Sequence, residues 1–268
     1  MAITALQSAA SALSALNTAL DVTANNLANV NTTGFKASRA NFQDLLYIEK
    51  SPPGAENASG DQAPTGLYVG LGTKVSGTQV NFTTGNPQTT SQPLDVMIDG
   101  LGFFRVSVQP ELGTGVAYTR AGNFALNRDR QMVLASDQGR RVDPPIEIPE
   151  NAVSVKIDAD GRVLVTSPGS VEPTEVGRFE IANFVNPAGL KQVGENLFVE
   201  TVASGPPIAG NPAEENRGQL RQGILESSNV DPTTELITLI RTQRAFEMNS
   251  QTIRAADDTL REVAQLRR

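Results

Sequence analysis

The sequence of 268 residues contains no cysteine, no histidine and no tryptophan. Without cysteine, neither disulfide bonds nor thiol redox chemistry can occur. Without histidine, the chain lacks the side chain that most often acts as a general base and most often binds metal ions. Only carboxylate pairs, lysine or a serine–lysine arrangement could support catalysis. These absences argue against an enzyme, a metal centre and any other cofactor.

Basic side chains are also in deficit, and the formal net charge is −7. A nucleic-acid partner is not expected, because such partners are bound by basic surfaces. No apolar run approaches the roughly 20 residues that span a bilayer. The first basic side chain is Lys36, so the N-terminal segment lacks the charged start of a secretory signal. We expect a protein that stays in the cytosol or leaves by a route that reads no such signal, and the lack of cysteine favours export.

An apolar residue recurs at every seventh position near the N-terminus. This repeat places the side chains in one seam along a helix, as in coiled coils. The helix is predicted from Thr4, which with Gln7 forms a capping-box pattern, to about Asn31. The predicted seam residues are Leu6, Leu13, Leu16, Leu20, Leu27 and Val30.

The opposite face of this helix is almost without charge. Between Met1 and Phe35 the only ionised side chain is Asp21, whereas a solvated helix face normally carries Lys and Glu. One interpretation is a helix that is simply polar without charge. We favour the other, in which small uncharged side chains let further helices pack on every side. Burial of the seam would contribute roughly 9–18 kcal/mol, too little to offset the backbone entropy, so we expect this helix to order with partners.

A second helix is predicted at the C-terminus. Asp231 is a good N-cap, and Pro232 follows at the first helical position, where its missing N–H costs nothing. Asn249 would either fix the register of a coiled coil or lie exposed at the edge of the seam. The predicted seam residues of this helix are Leu239, Phe246, Asn249, Ile253, Leu260 and Val263.

Between the helices the pattern changes to a period of two, with turn signals such as Asp99-Gly100 and Asp160-Gly161. The expected fold class is mixed α and β, segregated, with long terminal helices that pair as a coiled coil and an all-β antiparallel middle domain looped out between them. The predicted strands are Val75–Phe82, Leu94–Ile98, Phe103–Val108, Ala117–Arg120, Met132–Ala135, Val153–Ile157, Arg162–Thr166, Arg178–Phe184 and Leu197–Val202.

Three domains are predicted from these boundaries. The helical domain comprises residues 1–33 and 230–268. A connecting β or extended domain comprises residues 34–93 and 205–229, and its Pro/Gly-rich segment 51–66 is predicted to be a long loop. Residues 94–204 form an outer β-domain.

Two short motifs partly resemble ligand-binding loops. Residues 158–161 (DADG) begin like a calcium loop, but Arg162 and Gly169 stand where further ligands are needed, so a hairpin turn is favoured. Residues 70–74 (GLGTK) lack the spacing of a phosphate loop and precede a β-strand. Neither motif predicts a cofactor or metal site.

Longer motifs at both ends of the chain resemble those of the bacterial flagellar rod and hook protein family. The N-terminal signature is residues 25–36 (NNLANVNTTGFK), and the C-terminal signature is Ser228-Asn229-Val230 followed by residues 243–249 (QRAFEMN). Between them, RANFQDLLY, DGLGFF and GENLF follow in the order of the family. The chain length resembles rod members more than a typical hook protein. The motif residues carried over are Asn25, Asn26, Leu27, Asn29, Gly34, Phe35, Gln243, Arg244, Ala245 and Glu247.

The resemblance implies a structural subunit of the rod in the flagellar basal body, which crosses the periplasm. It implies a homo-oligomer, an open helical assembly whose inner tube is formed by the terminal helices. It also implies partners: proximal rod proteins, the hook protein or its junction, the surrounding P- and L-ring bushings, and the flagellar type III export apparatus. The alternative is a monomeric envelope-binding module that recognises glycan or peptidoglycan through its β-domain and uses the helices as a dimerisation stalk.

Overall fold

The computed structural model places a long α-helix at each end of the chain and antiparallel β-structure between them. This arrangement confirms the predicted segregation of α and β elements. No helix in the described part of the chain is long and apolar enough to cross a membrane. The structure describes residues 2–54, 64–110, 115–169 and 172–266.

The chain divides into two compact units. The first comprises Met1–Ala28, Ser38–Val80 and Asp231–Arg268, and the second comprises Asn29–Ala37 and Asn81–Val230. The three-part division expected from the sequence remains a prediction. Each unit is described in turn.

In the first unit, helix α1 spans Ala2–Ala28. It begins ahead of Thr4, so that residue lies inside the helix and the predicted capping box of Thr4 and Gln7 is wrong. The helix ends slightly before the predicted position.

Helix α2 spans Pro232–Leu266 and begins as predicted. The Asp231 carboxylate accepts hydrogen bonds from the Thr233 backbone N–H at 3.0 Å and the Thr234 hydroxyl at 2.6 Å. These bonds favour the charged form and lower the pKa of Asp231. The N-cap therefore satisfies a backbone donor that would otherwise lack a partner.

A two-stranded ribbon completes the first unit. Strand β1 (Ser38–Asp44) pairs antiparallel with β4 (Thr73–Val80), and β2 (Tyr47–Ser51) pairs with β3 (Leu67–Gly70). Backbone hydrogen bonds between the two pairings make the ribbon continuous. Only β4 was predicted, because the other strands are largely exposed and show no clear alternation of buried and exposed side chains.

The predicted loop 51–66 coincides with the far end of this ribbon. Its first residue, Ser51, is the last residue of β2. Residues 55–63 lie outside the described residues.

The second unit is built from short strands, with a short 3-10 helix at Pro187–Gly189. Its strands are β5 (Pro87–Thr89), β6 (Val96–Asp99), β7 (Phe103–Ser107), β8 (Val116–Thr119), β9 (Phe124–Leu126), β10 (Met132–Leu134), β11 (Ser154–Ile157), β12 (Arg162–Thr166), β13 (Thr174–Arg178), β14 (Ile181–Asn183), β15 (Lys191–Gly194), β16 (Leu197–Val199), β17 (Ile208–Gly210), β18 (Gln219–Gln222) and β19 (Ile224–Glu226).

The largest sheet has the strand order β15-β16-β8-β7-β14-β17, and all its neighbouring strands are antiparallel. Neighbouring residues of β7 point to opposite faces of the sheet, yet Phe103 and Phe104 are both buried. Phe103 meets the edge of Phe82 with ring centroids 5.2 Å apart, and Phe104 meets Phe124 at 5.1 Å. Apolar side chains therefore cover this sheet on both faces.

A three-stranded sheet has the order β11-β12-β13, and β9–β10, β6–β18 and β5–β19 form antiparallel pairs. The turn between β11 and β12 confirms the hairpin interpretation of residues 158–161: the Gly161 N–H donates to the Asp158 carbonyl at 3.0 Å. The prediction of one strand at Arg178–Phe184 is wrong, because β13 and β14 belong to different sheets and the chain changes sheet at the buried Phe179. The other predicted strands overlap observed ones.

A buried charge cluster, formed by Lys36, Arg120 and Glu226, lies within the second unit. The Lys36 Nζ is 2.5 Å from one Glu226 carboxylate oxygen, and an Arg120 Nη1 is 3.4 Å from the other. The Gly85 N–H also donates to Glu226 at 2.8 Å, and Lys36 donates to the Thr83 carbonyl at 2.7 Å. Each of the three charged side chains is almost completely removed from solvent.

The charge cluster holds two cations against one carboxylate. Burial lowers the pKa of Lys36, and the neighbouring Glu226 carboxylate opposes that shift. The Gly100 carbonyl accepts a hydrogen bond from Arg120 Nη2 at 2.9 Å, so backbone oxygens share in neutralising the cations. Glu226 nevertheless carries the only negative charge within this cluster.

We expect Ile181→Ala to lower the free energy of unfolding of the second unit by about 2–5 kcal/mol, because the substitution leaves a cavity at a fully buried position. Ile208 on the paired strand β17 is 49% exposed, and Ile208→Ala is the matched control, with an expected loss of about 0.5 kcal/mol. Denaturant unfolding followed by circular dichroism measures both. Equal losses would contradict the assignment of the core.

We expect Glu226→Gln to lower the free energy of unfolding by about 3–5 kcal/mol, because Lys36 and Arg120 would remain buried without a carboxylate. The matched control is Glu195→Gln. Glu195 pairs with Arg140 at 3.0 Å but its side chain is 30% exposed, so the expected loss is about 1 kcal/mol. The same unfolding measurement applies, and similar losses in the two variants would show that the cluster is not critical.

Candidate functional site

The candidate assembly site lies on the two terminal helices, because both predicted seams fall there. Within the first unit, α1 contacts α2 and the ribbon strands β1 and β4. The face of α1 that is turned inward carries small and polar side chains. Its buried residues are Ala9, Ala15, Thr23 and Asn26.

The leucine seam of α1 is only partly covered within the first unit. All six predicted seam residues of the N-terminal segment are half-buried, and none is among the buried residues of the unit. Large apolar side chains therefore remain partly accessible along α1. These residues are Leu6, Leu13, Leu16, Leu20 and Leu27 on the helix and Val30 just after it.

On α2 the predicted seam is half-buried along most of its length, at Leu239, Phe246, Asn249 and Ile253. Leu260 is 39% exposed, and the side chain of Val263 lies outside the described residues. The Asn249 Nδ2 donates to the Ala245 carbonyl at 2.9 Å, which is a bond within its own helix. A role of Asn249 in register therefore remains a prediction.

Sequence reasoning missed a second apolar surface on α2. Leu236, Ile237, Ile240 and Met248 are between 45% and 61% exposed. The run LITLI at residues 236–240 was the available signal, because it places apolar side chains on more of the helix circumference than one seam can cover. The first unit by itself does not bury this surface.

Asn26, one of the motif residues, joins three elements of the first unit. Its Oδ1 accepts from the Ser38 N–H at 2.9 Å, and its Nδ2 donates to the Ser38 carbonyl at 2.8 Å and to Glu235 Oε1 at 3.1 Å. Burial raises the pKa of Glu235, and the bond from Asn26 opposes that shift. Asn26 thus fixes the end of α1 against the start of β1 and the first turn of α2.

Gly34, a motif residue in the second unit, is required by close packing of backbone. A Cβ at this position would lie 2.6 Å from the Ala121 nitrogen, and the backbone has a positive φ. The Gly34 N–H donates to the Glu226 carbonyl at 2.8 Å. A side chain at residue 34 would displace the backbone segment that places Lys36 in the charge cluster.

The structure does not bring the remaining motif residues into one place. Gln243, Arg244 and Glu247 are exposed on α2 and Asn25 is exposed on α1, so their roles in assembly remain predictions. Asn29, Phe35 and Ala245 are half-buried. Among the residues described, no group of three or more acidic side chains is placed to hold a metal ion. The feature that α1 and α2 share is apolar side chains that stay partly accessible.

Three protein families match the chain in succession. Residues 6–36 match the family described as flagella basal body rod protein, residues 97–165 match the flagellar hook protein FlgE/F/G D1 domain, and residues 221–266 match the flagellar basal body rod FlgEFG protein C-terminal. The first and last matches cover most of α1 and α2.

Curated relatives match nearly the whole chain. The flagellar basal-body rod protein FlgG of Borreliella burgdorferi is 45% identical over 96% of this chain and 96% of its own length. The protein of the same name from Caulobacter vibrioides is 43% identical over 98% of this chain and 99% of its own length, and that from Bacillus subtilis is 38% identical over 98% of each. The chain therefore belongs to the FlgG family of flagellar basal-body rod proteins, and it is a structural subunit of the rod and not an enzyme.

Proposed function

We propose that this chain assembles with copies of itself into the distal rod, a helical tube that transmits torque and encloses the export channel. The observation that carries the proposal is the apolar surface left accessible on both terminal helices. Half-buried leucines run along α1, and Leu236, Ile237, Ile240 and Met248 are exposed on α2. Exposed apolar surface of this extent is typical of protein–protein interfaces.

The energetic argument favours several neighbours. Full burial of a large apolar side chain contributes about 1.5–3 kcal/mol, so a few side chains on α2 could stabilise a contact substantially. Asp21 is the only charged residue of α1, so additional helices can pack there without burying unpaired charge. Contacts between different surfaces of identical subunits produce open helical assemblies unless the rotation closes a ring.

We further propose that α1 and α2 pair as a coiled coil in the assembled tube. The seam would comprise Leu6, Leu13, Leu16, Leu20, Leu27 and Val30 on the N-terminal side and Leu239, Phe246, Asn249, Ile253, Leu260 and Val263 on the C-terminal side. In this proposal the helical domain of residues 1–33 and 230–268 forms the inner tube. The connecting domain and the outer domain of residues 94–204 face outward.

The same proposal includes the partners that the family resemblance implies. Rod and hook proteins of the family assemble with one another in the basal body. The finer assignments are proposals: contact with proximal rod proteins below and the hook or its junction above, passage through the P- and L-ring bushings, and export by the flagellar type III apparatus into the periplasm. The acidic, cysteine-free composition is consistent with these assignments.

We expect Ile240→Asp to abolish polymerisation, because a charge would enter an interface that forms only on assembly. Ile240 is 48% exposed in the subunit. The circular dichroism spectrum and the free energy of unfolding of the Ile240→Asp subunit should therefore change little. The matched control is Ile208→Asp, which makes the same change at a residue of the second unit that is 49% exposed and should leave polymerisation intact.

Electron microscopy and concentration-dependent sedimentation measure the outcome. A rod subunit should grow open-endedly, whereas a dimerisation stalk on an envelope-binding module would stop at a dimer. Tubes formed by Ile240→Asp as readily as by the unaltered chain would refute the proposed interface, and a strict dimer at every concentration would favour the stalk.

A further inference from the structure

The chain passes between its two units four times, after residues 28, 37, 80 and 230. The residues of the second unit next to three of these crossings are Ala37, Asn81 and Val230. A single peptide segment can rotate about its φ and ψ angles, so a segment without further hydrogen bonds is flexible. The contacts that hold these segments together within the second unit therefore matter for a subunit that is proposed to transmit torque.

One residue, Asn229, contacts the segments at two of the crossings and itself lies beside a third. Its Oδ1 accepts from the Ala37 N–H at 2.7 Å. Its Nδ2 donates to the Asn81 carbonyl at 2.8 Å and to the Thr83 carbonyl at 3.1 Å. Its own backbone N–H donates to the Phe35 carbonyl at 3.4 Å. Asn229 itself lies one residue before Val230, where the chain crosses for the last time.

The carboxamide is well suited to this position. A primary amide offers two N–H donors and one oxygen acceptor in one plane, and Asn229 uses both functions on different segments. A carboxylate would offer only acceptors, and a hydroxyl could not span three partners. The Asn81 N–H also donates to the Ala37 carbonyl at 2.8 Å, so two of the segments that Asn229 joins are bonded to each other as well.

The buried charge cluster strengthens the same region from the side of the core. Lys36 precedes Ala37 directly, and Glu226 lies three residues before Asn229. The Lys36–Glu226 ion pair therefore ties the segment that follows α1 to the segment that leads into α2. The half-buried Asn229 and the fully buried Glu226 therefore both bond these segments to one another.

We propose that Asn229 is a positioning residue that holds the segments of the second unit next to Ala37, Asn81 and Val230 in one fixed register, and that these bonded segments bear load in the rod. The register part concerns the subunit alone. The load part rests on the proposed function of a torque-transmitting rod. No element of the family resemblance assigns this role to Asn229.

The test is Asn229→Asp in the full-length chain. The substitution keeps the volume of the side chain but turns the Nδ2 donors into an acceptor that faces two carbonyl oxygens. Hydrogen–deuterium exchange of the free subunit should become at least about tenfold faster in residues 34–38, 81–84 and 227–231, because lost hydrogen bonds ease local opening. Exchange in the core strand β10 should stay unchanged.

The matched control is Asn186→Asp. Asn186 also donates through Nδ2 to a carbonyl, that of Ala203 at 3.0 Å, but it lies away from the crossing segments in the sequence. The Asn186→Asp substitution should leave hydrogen–deuterium exchange at the crossing segments unchanged.

Thr83→Ala is a milder variant for the case that Asn229→Asp does not fold. It removes only the contact between the Asn229 Nδ2 and the Thr83 hydroxyl at 3.1 Å. We expect exchange near residue 83 to become about twofold faster.

Unchanged exchange at the crossing segments would overturn the proposal, and so would an equal increase in β10, which would make Asn229 a residue of general stability. The load part has its own readout. A strain whose rods carry Asn229→Asp should lose more swimming speed in viscous medium than one carrying Asn186→Asp, and equal speeds would overturn that part. Exchange of the free subunit does not depend on polymerisation, so failure of the proposed assembly would be recognised separately through Ile240→Asp.

Discussion

The ion pairs of Glu226 tie together segments that are remote in the sequence. Its carboxylate faces Lys36 from the N-terminal linker, Arg120 from the end of β8 and the Gly85 N–H. Because the side chains are withdrawn from water, each charge depends on the others, and loss of one partner is far more costly than loss of a surface ion pair. The close packing of Gly34 and the hydrogen bonds of Asn229 both depend on these segments staying together. The buried charge cluster thus fixes the positions of the segments that carry Lys36, Arg120 and Glu226.

The terminal helices follow a different physical rule. Alanine, threonine and asparagine occupy the inward face of α1, so specificity comes from fitted hydrogen bonds such as those of Asn26, while the larger apolar side chains are only half-buried. A subunit built for a closed fold would bury its leucines first. The large apolar side chains of α1 are instead partly accessible, which is consistent with the assembly proposed for this chain.

Local signals in the sequence were sufficient for some elements and not for others. The Asp231 cap, the hairpin at residues 158–161 and both long helices each depend on nearby residues, and all were predicted. Strands β1, β2 and β3 were missed because they lie in an exposed ribbon whose stability comes from pairing and not from alternation. Glu226 carried no signal, because its partner Lys36 is 190 positions away. The apolar run of α2 was visible in the sequence, but a single seam was assumed for each helix.

The ribbon of the first unit has an evolutionary consequence. Strands β2 and β3 pair only with each other in the described part of the chain, so their length is not tied to the register of any further strand. Insertion of an even number of residues at equivalent positions of both strands would extend the ribbon by about 3.4 Å per added pair of facing residues and preserve the facing of every side chain. The same insertion in β7 would shift two neighbouring strands at once. The length of this ribbon can therefore differ between relatives while the cores of both units stay unaltered.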